Sequence, residues 1–289
     1  MRIRLPGAAT SIGLRYFEPA PDLAALVSSY YLFRADVTRV ADVMRADLGQ
    51  IRFMLRGCGH YMFGDQIVET PEVCLLGPSN AATRFDVAGP LLVFGIGLHP
   101  AGWAALVRED ASLHADRAGN AVGRFGPLLE DALDAMRSAP DTQAMVSIAD
   151  VVIRALTPQA AEAPFDLTRI TDAWLTGATD PSVDALVASL GVSARQAERL
   201  TKRIYGAPPK LLARKYRTLR AASLIGTSEL HWSEAAGDAF FDQSHFIRDF
   251  KRFTGLTPTL FQNDPPPVTR LTLQRRGITG NIAPLARIS

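Results

Sequence analysis

One pattern in this chain occurs twice. Arg199-Leu-Thr-Lys202-Arg203-Ile-Tyr-Gly206-Ala-Pro-Pro209 returns 49 residues later as Arg248-Asp-Phe-Lys251-Arg252-Phe-Thr-Gly255-Leu-Thr-Pro258. Arginine, lysine, arginine, glycine and proline keep their places in both copies. Each copy reads as a short basic helix that glycine stops and proline follows. Such a helix cannot stand alone in water. It must lay an apolar stripe on a partner and turn its charges outward. The repeat therefore predicts two helix pairs and two outward basic faces, the form of two probes for successive grooves of DNA.

The distribution of charge narrows the location. The formal net charge is only +2. Residues 1–164 hold 14 Arg/Lys against 18 Asp/Glu, residues 165–262 hold 13 against 10, and residues 263–289 hold 4 against 1. Between 195 and 220 nine basic residues face Glu198 alone. A polyanion would meet the second part of the chain, not the first.

The two parts also differ in pattern. Ile51–Leu55, Val73–Leu76 and Leu91–Phe94 are short apolar runs among glycines and prolines, which predicts a β-rich unit over about 1–100, barrel- or sandwich-like. Helical spacing follows at Trp103, Leu106 and Val107, at Leu128, Leu129, Leu133 and Met136, and from Met145 to Leu156. Residues 157–164 read as a linker. From 165 onward the chain reads as all helix. Asp180-Pro181 is placed at a helix start, Val183 to Leu190 forms a stripe, Ser193 is placed as a cap, Leu211 to Leu224 reads as a long helix, Trp232 to Ala239 as another, and Asp242 as the cap of the last. The fold class is α+β: residues 1–156 form an N-terminal β-rich domain with closing helices, residues 165–262 a C-terminal all-α double helix-turn-helix domain, and residues 263–289 a flexible tail.

Hydrophobic residues make up 47% of the chain and charged ones 21%, as in globular proteins. No apolar run suits a membrane span or a signal peptide. Two cysteines argue for a reducing compartment rather than a disulfide framework, so the expected location is the cytoplasm.

Phe240-Phe-Asp242-Gln-Ser-His-Phe246-Ile-Arg248-Asp-Phe250-Lys251-Arg-Phe-Thr-Gly255-Leu-Thr-Pro258 is the most specific stretch. With it, residues 165–262 resemble the DNA-binding domain of the AraC/XylS family of bacterial transcriptional regulators. The resemblance implies two helix-turn-helix units joined by a helix, double-stranded DNA as partner, and contact with RNA polymerase. It implies base contacts near Arg195, Glu198 and Arg199 in the first recognition helix, and from Gln243, Ser244 and Arg248 in the second. By chemistry, arginine suits guanine and glutamine suits adenine, while Glu198 suits either cytosine or an ion pair with Lys202 four residues on. Lys202, Arg203, Lys251 and Arg252 suit phosphates or salt bridges. Lys210, Arg214, Lys215, Arg217 and Arg220 spread around one helix, so only some can face DNA. The chain departs from the family at Ala197 and Thr201, where leucine and phenylalanine are usual and a thinner core is implied. It departs again at Ala239, where the turn glycine is usual.

Regulators of this kind often carry a sensor or dimerisation domain, which sets two readings of residues 1–156. In the first, a small-molecule effector binds there; Met54, Phe63, Phe85, Phe94 and Trp103 are the candidate pocket, with ordinary core as the plainer reading. In the second, the domain forms a homodimer or binds a protein through the stripe at 128–156, including Leu133 and Met136. Catalysis has no motif behind it. Gly95-Ile-Gly97-Leu-His99-Pro100 lacks the third glycine of a dinucleotide site. Cys58, His60, Cys74 and His99 fit no zinc spacing. A methyl-accepting cysteine would need an activated thiolate that neither Cys58 nor Cys74 shows. No cofactor, no metal, no enzyme activity and no membrane are expected.

Overall fold

The computed structural model describes residues 12–157, 163–227, 230–235, 240, 242–273 and 284–288. Eight strands form the N-terminal sheet: β1 (Ile12–Phe17), β2 (Val27–Ala35), β3 (Arg39–Met44), β4 (Gln50–Phe63), β5 (Gln66–Glu69), β6 (Val73–Leu76), β7 (Thr83–Leu98) and β8 (Ala118–Asn120). The order is β1-β2-β7-β4-β6-β8, with β3 on β7 and β5 on β4. All pairings are antiparallel. Among the described residues the sheet does not close into a barrel.

Two long strands do most of the shaping. β7 pairs with β3 over residues 83–88 and with β2 over residues 91–98, while β4 runs beside it along most of its length. The β4–β7 register slips between Met54 and Arg56 and again between Arg56 and Cys58. Gly57 sits in this bulge at φ +89°, and a side chain there would press on the Ala88 carbonyl at 2.8 Å. The bulge folds one half of the sheet over the other.

Alternation along the strands then makes two cores. Ile51, Phe53, Phe94, Ile96 and Leu98 face a layer of helices. Met54, Tyr61, Phe85, Val87, Leu91 and Val93 face inward, between the folded halves of the sheet. On the helix side lie a short turn α1 (Pro100–Gly102) continued by a wider turn Trp103–Val107, then α2 (Ala111–His114), α3 (Val122–Phe125), α4 (Leu128–Arg137) and α5 (Thr142–Leu156). Leu129, Leu133, Met136, Val146, Ala149 and Ile153 are buried against the sheet. Tyr30 Oη donates to Asp150 at 2.8 Å and Arg154 grips Asp22 twice, which ties α5 to β2 and to the turn before it.

The second part is helical: α6 (Phe165–Gly177), α7 (Val183–Leu190), α8 (Ala194–Tyr205), α9 (Pro209–Gly226), α10 (Trp232–Ala235), α11 (Gln243–Thr254) and α12 (Pro258–Asn263). Asp180 and Pro181 lie before α7, whose N-cap is Ser182; Asp180 instead accepts from Arg217 at 2.7 Å. The expected helix from Trp232 to Ala239 is described only to Ala235, and Ala239 lies outside the described residues.

Within 263–289, expected as a flexible tail, two helices are packed: α13 (Pro267–Leu273) and α14 (Pro284–Ile288). Val268 joins the core between the sheet halves, and Leu285 and Ala286 are fully buried beside Leu175, Tyr205 and Leu212. Burying those apolar groups supplies the order that a polar, proline-bearing segment does not supply by itself.

Candidate nucleic-acid interface and cavity

The two copies of the repeat become α8 and α11. Ser193 caps α8 in a reciprocal box with Gln196, and Asp242 caps α11 by accepting from His245 N at 2.7 Å. Gly206 and Gly255 end them at φ +77° and +78°, and Pro209 and Pro258 open the helices that follow. Inward, Ala197, Thr201, Ile204 and Tyr205 bury α8, and Phe246, Phe250 and Phe253 bury α11. Ala197 and Thr201 are closed from solvent despite their small size. Tyr205 carries that interface, donating to Asp172 at 2.6 Å. Burial pushes the Asp172 carboxyl up to about 6.

Arg195, Glu198, Arg199 and Arg203 on α8 are exposed, as are Gln243, Ser244, Arg248, Lys251 and Arg252 on α11. Glu198 pairs with Lys202 at 2.6 Å, so the ion pair is the state the structure holds. Arg248 Nε leans back on the Ser244 carbonyl at 3.3 Å. Arg252 reaches the Asn80 carbonyl at 3.3 Å.

Four of the five basic residues of α9 are internal ties. Arg214 makes two hydrogen bonds to Asp249, a carboxylate only 1% exposed, and joins α9 to α11. Arg217 holds Asp180 and lies over the Phe240 ring at 4.6 Å. Arg220 donates to the carbonyls of Leu175 and Ala178. Lys215 is 1% exposed and donates to the Asp47 carbonyl at 3.0 Å, across to the sheet domain. Burial pushes its ammonium down to about 8. Of the five, Lys210 alone is exposed. His245 packs on Phe240 and lies 3.5 Å from Asp249, a structural position.

The folded sheet borders a half-open cavity of about 120 Å³. Met54, Phe63 and Phe85 line it; Phe94 and Trp103 do not. Phe94 pairs in register with Phe53, so strand alternation turns it to the helix side. Trp103 is buried there too, donating to the Glu109 carbonyl at 3.1 Å. Sequence reading missed the cavity's polar end. Arg52 lies over the rings of Tyr31 and Tyr61, 5.9 and 5.7 Å from their centroids. It donates to Gln50 Oε1 at 2.9 and 3.1 Å and to Tyr61 Oη at 3.2 Å. Tyr31 Oη donates to the same Gln50 oxygen at 2.8 Å. All of Arg52's hydrogen-bond acceptors here are neutral. The signal was a lone arginine inside the apolar run Ile51–Leu55. Val268 and Thr272 of α13 complete the wall.

Cys74 is buried and its thiol is pushed up to about 12 by that burial, the opposite of an activated thiolate. Cys58 is exposed. Leu133 and Met136, expected on an interface stripe, are closed into the core. No helix among the described residues is long and apolar enough to cross a membrane.

Two capped helices of matched build, α8 and α11, flank one connecting helix, α9, the arrangement of a DNA-binding domain. Residues 186–264 match the family described as a helix-turn-helix domain. No curated protein matches the chain. The fold is similar to solved structures of ToxT from Vibrio cholerae at 12% identity, covering 78% of this chain and 97% of that one with a TM-score of 0.44. A structure of unsaturated fatty acid-bound ToxT shares 13% identity over 78% of this chain and 95% of that one, TM-score 0.45. The AraC-like transcriptional activator CuxR shares 11% over 62% of this chain and 71% of its own, TM-score 0.34.

Proposed function

We propose that this protein is a sequence-specific transcriptional regulator that reads double-stranded DNA with α8 and α11 and acts through RNA polymerase. The observation that carries the reading is the pair of matched helices, each capped at its start, stopped by a left-handed glycine, and buried on one face only. Arg195 and Arg199 on one helix, and Gln243, Ser244 and Arg248 on the other, supply the base-reading donors, with Glu198 beside them. Lys202, Arg203, Lys251 and Arg252 supply positive charge for phosphates.

The cavity gives the regulator an input. A guanidinium held only by neutral acceptors at the end of an apolar chamber favours a ligand with one anionic head and a compact apolar body. An apolar void of about 150 Å³ accommodates benzene, which sets the size class near one ring or a short alkyl chain.

The test is selection of bound fragments from genomic DNA at a stated salt concentration, with wild type and an Arg199→Ala, Arg248→Ala variant. A two-part motif lost in the variant is the expected result. Each arginine should be worth about 1–3 kcal/mol at one base pair. Uniform recovery by both proteins would reduce the helices to carriers of charge and end the specific reading.

A further inference from the structure

The two recognition helices are joined not only by α9 but by one loop of the sheet domain. The segment 77–82, between β6 and β7, touches the C-terminal ends of both. Asn80 Nδ2 donates to the carbonyl of Gly206, the residue that ends α8, at 3.0 Å. The Asn80 carbonyl accepts from Arg252 Nε of α11 at 3.3 Å, and Ala82 N donates to the Arg252 carbonyl at 2.8 Å. A Cβ at Gly206 would meet Pro78 at 2.7 Å, and one at Gly255 would meet Val43 at 2.4 Å and Ala82 at 3.1 Å. Gly206 and Gly255 are also the pivots, since each changes the chain direction between a recognition helix and the helix after it. The loop is itself held rigid. Asp116 accepts from the backbone N–H of Asn80 at 2.7 Å and of Ala81 at 3.1 Å, and Ser79 and Asp47 exchange two hydrogen bonds. Asn80 is 7% exposed.

We propose that this loop is a caliper: Asn80 pins the Gly206 pivot against the end of α11 and so fixes the separation at which the two helices can read DNA. The inference rests on the DNA-reading function but adds a distinct property, selectivity for spacing. Asn80 touches no DNA in this scheme. It is a positioning residue, acting through Gly206 and Arg252.

Spacing is measured directly. Binding is titrated on a site with two half-sites one turn apart, on the same site with half a turn inserted, and on a single half-site. Wild type should lose about tenfold or more when half a turn, roughly five base pairs, is inserted. Asn80→Asp keeps the size of the side chain but removes the donor to Gly206, and Asn80→Ser removes the same donor without adding a carboxylate. Both should narrow that penalty to about threefold or less while affinity for the single half-site stays within about twofold. A variant that binds the half-site normally and keeps the full penalty would overturn the caliper. So would a wild-type protein indifferent to spacing, a result that needs no variant to fold. Failure of wild type on the single half-site would instead remove the DNA-reading function beneath it.

Discussion

Arginine and lysine side chains in this protein do two jobs that composition cannot separate. Between 195 and 220 the charge density suggests one continuous anion-binding surface. The structure divides it: Arg195, Arg199 and Arg203 point outward on α8, while Arg214, Lys215, Arg217 and Arg220 hold α9 to its neighbours. Lys215 is the extreme case, an ammonium buried between the two parts of the chain. Its proton is held less tightly in the fold, at about 8, than the ordinary lysine value of 10.5. Between these two values the unfolded chain binds more protons than the folded one, so this residue's contribution to stability rises with pH across that window. At pH 7 the charged form is buried at a cost of about 3 kcal/mol. Lys215→Met should therefore stabilise the protein at pH 7 by about 1–3 kcal/mol, after loss of the bond to the Asp47 carbonyl, which retains Ser79 N as a donor. The advantage should shrink as pH rises from 8 toward 10. Denaturant titrations of both proteins at pH 7 and pH 9.5 measure it; an unchanged or growing gap would contradict the buried-charge account.

At the scale of elements, the segment after α12 is the clearest departure from expectation. Prolines and few apolar residues made 263–289 read as a tail, yet Leu285 is fully buried among Leu175, Tyr205, Leu212 and Tyr216. Leu285→Ala should cost about 2–5 kcal/mol in chemical denaturation, as for other buried leucines. A loss below about 0.5 kcal/mol would mean that α14 does not dock. Short segments of this kind are illegible because their order comes from surfaces far away in sequence. The recognition helices were legible for the opposite reason: caps, stripe and stop all lie within a dozen residues, at Ser193 to Gly206 and Asp242 to Gly255. Phe94 shows a third case. As part of an isolated run, Leu91 to Phe94, its facing is undetermined. As part of one strand from Thr83 to Leu98, Phe85, Val87, Leu91 and Val93 take the cavity side and Phe94 takes the other. Arg52 was passed over because its meaning depends on which rings it lies over, Tyr31 and Tyr61, and these come from other parts of the sheet.

Across the whole molecule, the cavity and the recognition helices share walls. Met44, Arg45, Asp47 and Leu48 line the cavity, and the same stretch supplies Ala46 N to the Phe253 carbonyl and the Asp47 carbonyl to Lys215. Gly77 and Ser79, within the loop that holds Gly206 and Arg252, and Thr83 just after it line the cavity too. Val268 and Thr272 close it, and α13 ends with Leu273 against Gly226 at the end of α9, where a Cβ would come within 2.5 Å. A ligand that moves any of these walls therefore moves an attachment of the DNA-binding part. Such coupling has a definite size and direction. Typical values are about 1–3 kcal/mol, or 5- to 150-fold in affinity, and the effect is reciprocal. With a graded series of aryl and alkyl carboxylates, one member should shift the affinity for the selected DNA site by a factor in that range. Saturating DNA should then shift the affinity for that carboxylate by the same factor. The matching neutral alcohol should do neither, because it leaves the Arg52 charge without a counter-charge; an Arg52→Gln protein should also fail to respond to the acid. Calorimetric titration of the acid with and without DNA gives both sides of the cycle. If alcohol and acid act equally, the guanidinium is not the recognition element. If the acid binds yet DNA affinity stays constant, the shared walls carry no signal.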